Sequence, residues 1–382
     1  MQHSADLKSL NGFIKHMPTS RPEDSNNLAY IGNGHFGLAL SDTSSEQLFI
    51  TATGQHKSSR TLSVPVSFKP LIHASNNEDE SSTSARVVNF YKGLLHHVMC
   101  YDDGIEGSSG DISISRQIYA HRSIPEVLVQ EIRISNPSGK DQFFQLERQG
   151  IVNWLSASSS EKTIEHGDGN KKYAVISGTV VVPTDSPLST SLLNKNQIIL
   201  VAVVVPKLDE NLSVKARMTH TMTYLSSISY SEPMPSEDKA KEQRQKVEAD
   251  AINAILQAAA KTTQGLREDH VSIWRNLWTT GFGISHSMAE DAINGAQINA
   301  TMYYVLSQVP TPLHSIHPVD QARRTELQGY LAYLEGCYGG LPTLQASSLW
   351  SALETTEEMN RIVSLWILTL YKNVRFRKKI SF

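Results

Sequence analysis

The feature that most constrains the fold is a change in the spacing of apolar residues along the chain. Short apolar runs broken by turn residues fill residues 62–205, and short strands at this spacing are typical of an antiparallel sandwich. These runs are Val64–Phe68, Val87–Tyr91, Ile112–Ile114, Val127–Ile134, Phe143–Leu146, Tyr173–Ile176, Thr179–Val182, Ile198–Val204 and Leu212–Met218. After Pro233 the apolar spacing becomes helical, and Ser236 is placed to cap the first helix. The sequence therefore predicts an α+β chain, with an N-terminal antiparallel β-sandwich followed by helices.

Two polar segments interrupt the apolar runs and are interpreted as loops. Residues 76–84 (NNEDESSTS) are polar and acidic enough for a mobile loop, and residues 156–170 form a second long polar insertion. Neither segment is expected to add a strand.

An amphipathic helix is predicted over Leu266–Trp278, with a break before it near Gly265. Its buried face is formed by Leu266, His270, Ile273, Trp274 and Leu277, which recur with a 3.6-residue period. The two tryptophans, Trp274 and Trp278, lie on consecutive turns and are interpreted as aromatics that clamp two domains together. A sugar-stacking role for either ring is the alternative. A second helix is predicted from about Ala292, and it ends before Pro310.

These patterns divide the chain into four parts. They are a poorly structured N-terminus at 1–27, a β-sandwich domain at 28–234, a helical linker at 235–283 and an incomplete α-helical domain at 288–382.

Charge and motif content exclude several functional classes. The formal net charge is −3, and Lys and Arg are scattered, so neither a nucleic acid nor an anionic membrane is an expected partner. Gly32, Gly34 and Gly37 match G-x-G-x-x-G, but an alternating strand follows instead of a helix, so a tight turn is the better interpretation. His96 and His97 alternate across a strand, which splits them as metal ligands. We therefore expect no cofactor and no metal.

Two acceptor patterns and two cysteines bear on the compartment. Asn211-Leu212-Ser213 and Asn299-Ala300-Thr301 match the N-glycosylation pattern. Cys100 and Cys337 fit either one disulfide or two thiols, and the two sequons favour the disulfide and an oxidising compartment. No secretory signal is visible at the start of the sequence, and no apolar run approaches the ~20 residues that span a membrane.

Catalytic carboxylates are not identified in the helical part. A glycosidase needs two carboxyl groups flanking one bond. The acidic residues available are Glu268, Asp269, Glu290, Asp291, Asp320, Glu326 and Glu335. Glu268 and Asp269 are adjacent on the solvated helix face, and only Glu335, beside the glycine-rich segment at Cys337, is a candidate for mutation. The catalytic residue is therefore unassigned.

The sandwich, the helical linker and the motif formed by His270, Trp274 and Trp278 resemble glycoside hydrolase family 65. In that family a β-supersandwich precedes an (α/α)₆ barrel, so the C-terminal helices resemble the start of that barrel. The segment SRQIYAHRSIPEVLVQEIRISNPSG is similar to the family's sandwich. No catalytic residue carries over from this resemblance.

A closer resemblance is to an uncharacterised family of animal single-pass membrane proteins, the domain of unknown function 2152 of the KIAA series. The matching segments are Ala120–Pro137, Asp269–Trp278, Asn299–Ser307, Cys337–Gly340 and Ser364–Leu370. The family resembles type I membrane glycoproteins, so the resemblance implies a truncated sequence and a glycan on Asn299.

The leading hypothesis is a non-catalytic glycoprotein ectodomain of the secretory lumen or the extracellular side, normally membrane-anchored through segments absent from this sequence. Its expected partners are glycans or a luminal or extracellular protein. The alternatives are a carbohydrate-active enzyme, a glycosidase or phosphorylase, whose catalytic part is missing, and a carbohydrate-binding module.

Overall fold

The computed structural model describes most of the chain between residues 29 and 278. The described residues are 29–40, 47–52, 60–64, 71–74, 83–101, 112–147, 154, 157–166, 169–182, 197–208, 211–232, 234–278, 303 and 307. The N-terminus at 1–27 and the predicted α-helical domain at 288–382, apart from residues 303 and 307, therefore lie outside the described residues. The four-part division of the chain stays a prediction.

Within the described ranges, fifteen strands precede three helices. The strands are β1 (Ala29–Gly32), β2 (Phe36–Leu40), β3 (Gln47–Ala52), β4 (Arg60–Val64), β5 (Leu71–Ala74), β6 (Thr83–Asn89), β7 (Leu94–Tyr101), β8 (Ile112–Ala120), β9 (Val127–Asn136), β10 (Gln142–Glu147), β11 (Ser158–His166), β12 (Gly169–Val182), β13 (Gln197–Pro206), β14 (Asn211–Val214) and β15 (Met218–Tyr230). The helices are α1 (Glu237–Glu242), α2 (Arg244–Ala259) and α3 (Thr263–Trp278).

The strands form three antiparallel sheets. The largest has eight strands in the order β11-β12-β13-β15-β9-β8-β7-β6, and the smaller sheets have the orders β1-β2-β3-β4 and β14-β10-β5. Every pairing between these strands is antiparallel. The predicted α+β class, with antiparallel strands followed by helices, is confirmed.

The central strand β9 contributes to the cores on both faces of the large sheet, and its first four residues are all buried. Val127 and Val129 pack in one apolar cluster with residues of α2 and α3. Ile132 and Ile134 point the other way and pack with Phe144 and other residues of the three-stranded sheet. Because successive side chains of a strand point to opposite faces, one strand serves both cores.

Helix α2 lies on the large sheet through a row of small side chains. Ala251, Ala254 and Ala258 are buried at helical spacing, and their size brings the helix backbone close to β13 and β15. The closeness is visible in a 2.7 Å hydrogen bond that the Ser227 hydroxyl of β15 donates to the carbonyl of Ala251.

Two local predictions were wrong. Residues 158–166, predicted as part of a polar insertion, form the edge strand β11, because backbone hydrogen bonds to β12 hold an edge strand whatever its exposed side chains are. The break before α3 lies at residues 260–262, and Gly265 lies within the first turn of α3, where its N–H is held by the Thr262 hydroxyl at 3.1 Å.

Candidate functional site

Helix α3 buries the face that its sequence predicts. Leu266, His270, Trp274 and Leu277 are buried, whereas the polar residues between them reach solvent to different degrees. This face lies against the β-rich part of the chain, so the predicted amphipathic helix is confirmed.

Trp274 is fully buried and packs directly against backbone. Gly93 follows β6 in the turn to β7, with φ of +59°, and a Cβ at this position would lie 2.0 Å from Nε1 of Trp274. The Arg122 guanidinium carbon lies 4.9 Å from the Trp274 ring centroid, and the Tyr303 ring stacks at 5.2 Å. A ring enclosed in this way cannot stack on a sugar, so the packing interpretation of Trp274 fits its position.

Trp278, at the end of α3, also contacts the turn between β6 and β7. Its Nε1 donates a 3.0 Å hydrogen bond to the carbonyl of Phe90, and its ring centroid lies 4.9 Å from that of Tyr91. Both predicted joint aromatics therefore contact the β6–β7 turn, while a joint with the predicted α-helical domain stays a prediction.

Two buried histidines support this contact in their neutral form. His121 donates from Nε2 to the carbonyl of Leu266 at 2.9 Å and accepts at Nδ1 from the N–H of Ile124 at 3.0 Å. His270 donates from Nε2 to the carbonyl of Gly93 at 3.1 Å. Burial lowers the pKa of His121 to about 4 and the pKa of His270 well below its ordinary value. Both rings are therefore structural groups and not proton carriers at neutral pH.

The glycine-rich turn near the start of the chain is a β-hairpin. Gly32 pairs with Gly37 across β1 and β2, and Gly34 has φ of +86°. The Asn33 side-chain oxygen accepts from the N–H groups of His35 and Phe36 at 3.0 and 3.1 Å. The predicted tight turn is confirmed, and its geometry is that of a hairpin instead of a phosphate-binding loop.

A wide groove lies beside α3 on the large sheet and is the strongest candidate for a functional site. Its volume is 2110 Å³, and its lining includes residues of β7, β8, β9, β15 and α3. One row on its floor crosses four neighbouring strands through directly paired positions, namely His96, Gln117, Glu131 and Thr223. The next row is Val98, Ser115, Arg133 and Thr221. Directly paired residues share a face, so the floor presents amide, hydroxyl and charged groups together.

The Glu131 carboxylate links this floor to the wall formed by α3. Arg267 donates to both oxygens of Glu131, with its Nε at 2.9 Å from Oε1, and the Tyr119 hydroxyl donates to Oε1 at 3.1 Å. The hydrogen bond to Glu131 raises the pKa of Arg267, and burial together with Glu131 raises the pKa of Tyr119. Arg267 and Tyr119 therefore both stay protonated near neutral pH.

His96 lies at one end of the first row of residues on the groove floor, and its ring is largely shielded from water. Burial, together with the nearby cations Lys92 and Arg267, lowers its pKa to about 4. Among the described residues no group forms a hydrogen bond with Nε2 of His96. The ring is therefore a neutral group that faces a cationic environment.

The predicted glycosylation and cysteine positions are only partly within the described residues. Asn211 and Ser213 are exposed on the same side of β14, the edge strand of the three-stranded sheet, and Asn211 also lines the groove. Cys100 lies in β7, half-buried, paired with Thr83 and Ser113. Asn299 and Cys337 lie outside the described residues, so the second glycan and the disulfide stay predictions.

Of the acidic residues considered as catalytic candidates, some lie within the described residues and others do not. Glu268 lies on the groove wall, where it accepts a 2.7 Å hydrogen bond from Gln264, and Asp269 pairs with Lys261. The other helical acids considered from the sequence, including Glu335, lie outside the described residues. The structure thus assigns no catalytic pair.

The described residues contain neither a cluster suited to a metal ion nor a helix suited to span a membrane. In the parts of the chain that the structure describes, no group of three or more His, Cys, Asp or Glu side chains is arranged to hold a metal ion. No helix in those parts is long and apolar enough to cross a membrane.

The groove residues were missed by sequence reasoning. A signal for them exists, because β8, β9 and β15 each carry polar residues at alternate positions, as in Ser115-x-Gln117, Glu131-x-Arg133 and Thr219-x-Thr221-x-Thr223. Alternation indicates a polar face of a strand, but which strands lie side by side is decided only by the fold.

Comparison with known proteins places the chain in a family. A family model described as "Uncharacterized conserved protein (DUF2152)" matches residues 20–375. "Uncharacterized protein KIAA2013 homolog" of Xenopus tropicalis is 26% identical over 345 residues, covering 90% of this chain and 52% of that protein. The Xenopus laevis protein of the same description is 26% identical over 347 residues, covering 90% of this chain and 53% of that protein. The chain thus spans about half the length of these curated relatives.

A solved structure with a similar fold is a sugar-active protein. "Putative kojibiose phosphorylase from human microbiome" has a TM-score of 0.50 and 14% sequence identity, and the match covers 80% of this chain and 43% of that chain. At this identity the likeness concerns the fold alone. It agrees with a sugar-hydrolase-like scaffold.

Proposed function

The chain belongs to the uncharacterised conserved protein family DUF2152, and from this premise we propose that it is part of a luminal or extracellular glycoprotein on a sugar-hydrolase-like scaffold. Its β-rich part corresponds to the supersandwich of that scaffold, and its helices correspond to the linker and the start of the (α/α) barrel. The whole protein is membrane-anchored as a type I protein, and this part of it is non-catalytic. Its partners are glycans or another luminal or extracellular protein.

The observation that carries this proposal is the exposure of the Asn211 sequon. Asn211 and Ser213 point to the same side of an edge strand, because residues two apart in a strand share a face. The asparagine side chain and the hydroxyl that a glycosylating enzyme must recognise are therefore presented to solvent together. An edge strand leaves room for a bulky glycan that a central strand would exclude.

The bonding of the groove carboxylates supports a non-catalytic role for this part of the protein. Glycoside hydrolysis needs one carboxyl group that gives a proton and a second that attacks or activates water. Glu131 accepts hydrogen bonds from Arg267 and Tyr119, and Glu268 accepts one from Gln264 on the exposed side of α3. Both carboxylates are therefore already engaged by neighbouring side chains.

The proposal is tested by the intact mass of the full-length protein from animal cells, with and without an enzyme that removes N-glycans. We expect a mass loss on treatment, with Asn211 converted to Asp. Asn211→Gln should remove this shift, and Ser213→Thr, which keeps the acceptor pattern, should retain it. Asn299→Gln tests the second sequon separately. Absence of a glycan at both positions, together with two reduced cysteines, would contradict the luminal assignment.

A second candidate is a carbohydrate-active enzyme whose catalytic part lies beyond this chain. The observation that favours it is that the match covers 43% of the phosphorylase chain. Glycosidase and phosphorylase assays on the full-length protein test this candidate. Turnover that is lost on substitution of an acidic residue outside residues 1–382 would favour the enzyme, and absence of turnover would favour the non-catalytic glycoprotein.

A further inference from the structure

The groove beside α3 carries a charge opposite to that of the chain. The whole sequence has 35 Lys and Arg against 38 Asp and Glu, a formal net charge of −3. Among the described residues that line the groove, eight are Lys or Arg and two are Glu. A concave surface lined by one sign of charge concentrates ligands of the opposite sign. The groove is therefore suited to an anionic ligand.

These cations come from different sides of the groove instead of one flexible segment. Lys92 lies at the β6–β7 turn, Arg133 on the floor, Lys172 on β12 and Arg275 on α3. Across the described part of the chain, none of these four side chains makes an ion pair. A ligand lying in the groove would thus meet positive charge from several elements, without first displacing a carboxylate from these four groups.

Part of the floor between these cations is polar and uncharged, and part is apolar, as at Leu94 and Val98. Ser115, Gln117, Thr221 and Thr223 place hydroxyl and amide groups on it, and Thr223 is held by a 2.9 Å hydrogen bond with Thr263. Such groups both donate and accept hydrogen bonds, as the hydroxyl groups of a sugar do. His96 adds a neutral ring nitrogen with no partner among the described residues. The floor therefore matches a polyhydroxylated ligand.

The dimensions favour an oligomeric ligand over a small metabolite. Pockets for small molecules have volumes of about 300–1,000 Å³. The whole cavity has about 2110 Å³, and its lining extends beyond the α3 face to Ile132, Leu146 and Met222 of the opposite face of the sheet. The floor strands are interior strands with both edges paired, so they offer no free backbone edge to an acidic peptide.

We propose that the groove formed by β7, β8, β9, β15 and α3 binds an acidic oligosaccharide that carries sulfate or carboxylate groups. The cations contact the acidic substituents, and the floor hydroxyl and amide groups contact the sugar hydroxyls. This assignment rests on the proposed luminal or extracellular role, because the protein would meet such glycans in those locations. It also gives a function to the residues that α3 and the large sheet bring together.

Binding of a heparin-derived octasaccharide to the purified full chain tests this assignment by titration calorimetry. The groove variant is Arg133→Gln with Arg275→Gln, both at exposed positions without ion pairs in the described chain. The matched control is Lys140→Gln with Lys246→Gln, which removes the same charge at exposed positions outside the groove. Every comparison is repeated with Asn211→Gln, so that a glycan at the groove rim does not enter the result.

We expect saturable binding that the groove variant weakens about tenfold, as for the loss of two exposed ionic contacts. The control variant should weaken it less than about twofold, and neutral dextran should not bind. Equal weakening by both variants, or equal binding of dextran, would overturn the proposal. Poly-glutamate or phosphatidylserine vesicles that bind equally tightly with the same groove dependence would also overturn it in favour of a peptide or membrane ligand.

The two proposals fail in different ways. Octasaccharide binding by a chain that carries no N-glycan in animal cells would contradict the luminal role and leave the groove assignment standing. A chain glycosylated at Asn211 that shows no groove-dependent binding would contradict the groove assignment alone.

Discussion

Single residues set close contacts in the described part of the chain, and Gly93 leaves no room for a Cβ beside the Trp274 ring. Gly93 is required for two reasons, a positive φ and the position of the indole ring against its Cα. His121 and His270 are buried beside it: His121 must stay neutral for Nδ1 to accept the N–H of Ile124, and burial disfavours the charged form of both rings. Stability at this contact should therefore respond both to the volume of a side chain and to pH.

Gly93→Ala should destabilise the protein by about 2–5 kcal/mol, the sum of left-handed backbone strain and overpacking against the ring. Gly139→Ala is the control, because a Cβ there meets nothing within 4 Å, and it should change stability by less than about 0.5 kcal/mol. Urea unfolding followed by far-UV circular dichroism measures both. Equal midpoints for the two variants would show that the Trp274 ring is not held against Gly93.

Stability should fall as the pH drops from about 6.5 towards 4, because the unfolded chain binds a proton at His121 that the folded chain does not. The folded pKa is lowered, so this stabilisation is complete above the unfolded pKa and is lost on acidification. Each such ring contributes a slope of about 1.4 kcal/mol per pH unit. His121→Gln should remove one such contribution, whereas His220→Gln, at an exposed position, serves as the control. Urea unfolding at successive pH values measures the slopes, and an unchanged slope for His121→Gln would refute the neutral buried ring.

At the scale of elements, helices α2 and α3 use different surfaces to pack on the large sheet. Helix α2 approaches closely through small side chains, whereas α3 uses large ones such as Trp274 and the ion pair between Arg267 and Glu131. The approach of α2 leaves no room for a longer side chain, because close-packed interiors respond to the addition of even one methylene group.

Ala251→Leu should therefore cost about 1–3 kcal/mol through overpacking between α2 and β15. Gln257→Leu introduces the same side chain on the exposed side of α2 and should be close to neutral. The difference between the two unfolding free energies isolates the sheet contact from helix propensity. Equal effects would mean that α2 does not lie as close to the sheet as the Ser227 hydrogen bond indicates.

At the scale of the whole molecule, a bond between Cys100 and Cys337 would join the β-rich part to the predicted α-helical domain. We expect this disulfide from the proposed luminal location. Loss of a native disulfide costs about 2–5 kcal/mol. Cys100→Ser and Cys337→Ser should each give a loss of this size, and the double variant should give no further loss, since one bond is removed in all three.

Thermal unfolding of the four proteins, with thiol alkylation before and after reduction, checks this prediction. Losses that add in the double variant would indicate two independent thiols. Alkylation of both cysteines without prior reduction would lead to the same conclusion.

The sequence by itself determined the features that depend on local order along the chain. The runs from Val64 onwards predicted strands, the residues after Ser236 predicted helices, and the spacing from Leu266 to Leu277 predicted the buried face of α3. Side chains on one face of a strand recur every 2 residues, and those on one face of a helix recur every 3.6 residues. A buried face is therefore visible in the spacing of apolar residues along a short stretch of sequence. Strand β11 was missed because it is mostly polar and is held to β12 by backbone hydrogen bonds, which leave no apolar pattern in its sequence.

Only the tertiary structure decided which side chains share a site. Glu131 of β9 and Arg267 of α3 are 136 residues apart, and His96 reaches the row of Gln117 and Thr223 only through the order β15-β9-β8-β7. A sequence of net charge −3 gives no sign of a cationic groove, because the groove collects its Lys and Arg from separate elements. Strand order and helix docking are set by non-local burial, and the charge of the groove follows from them.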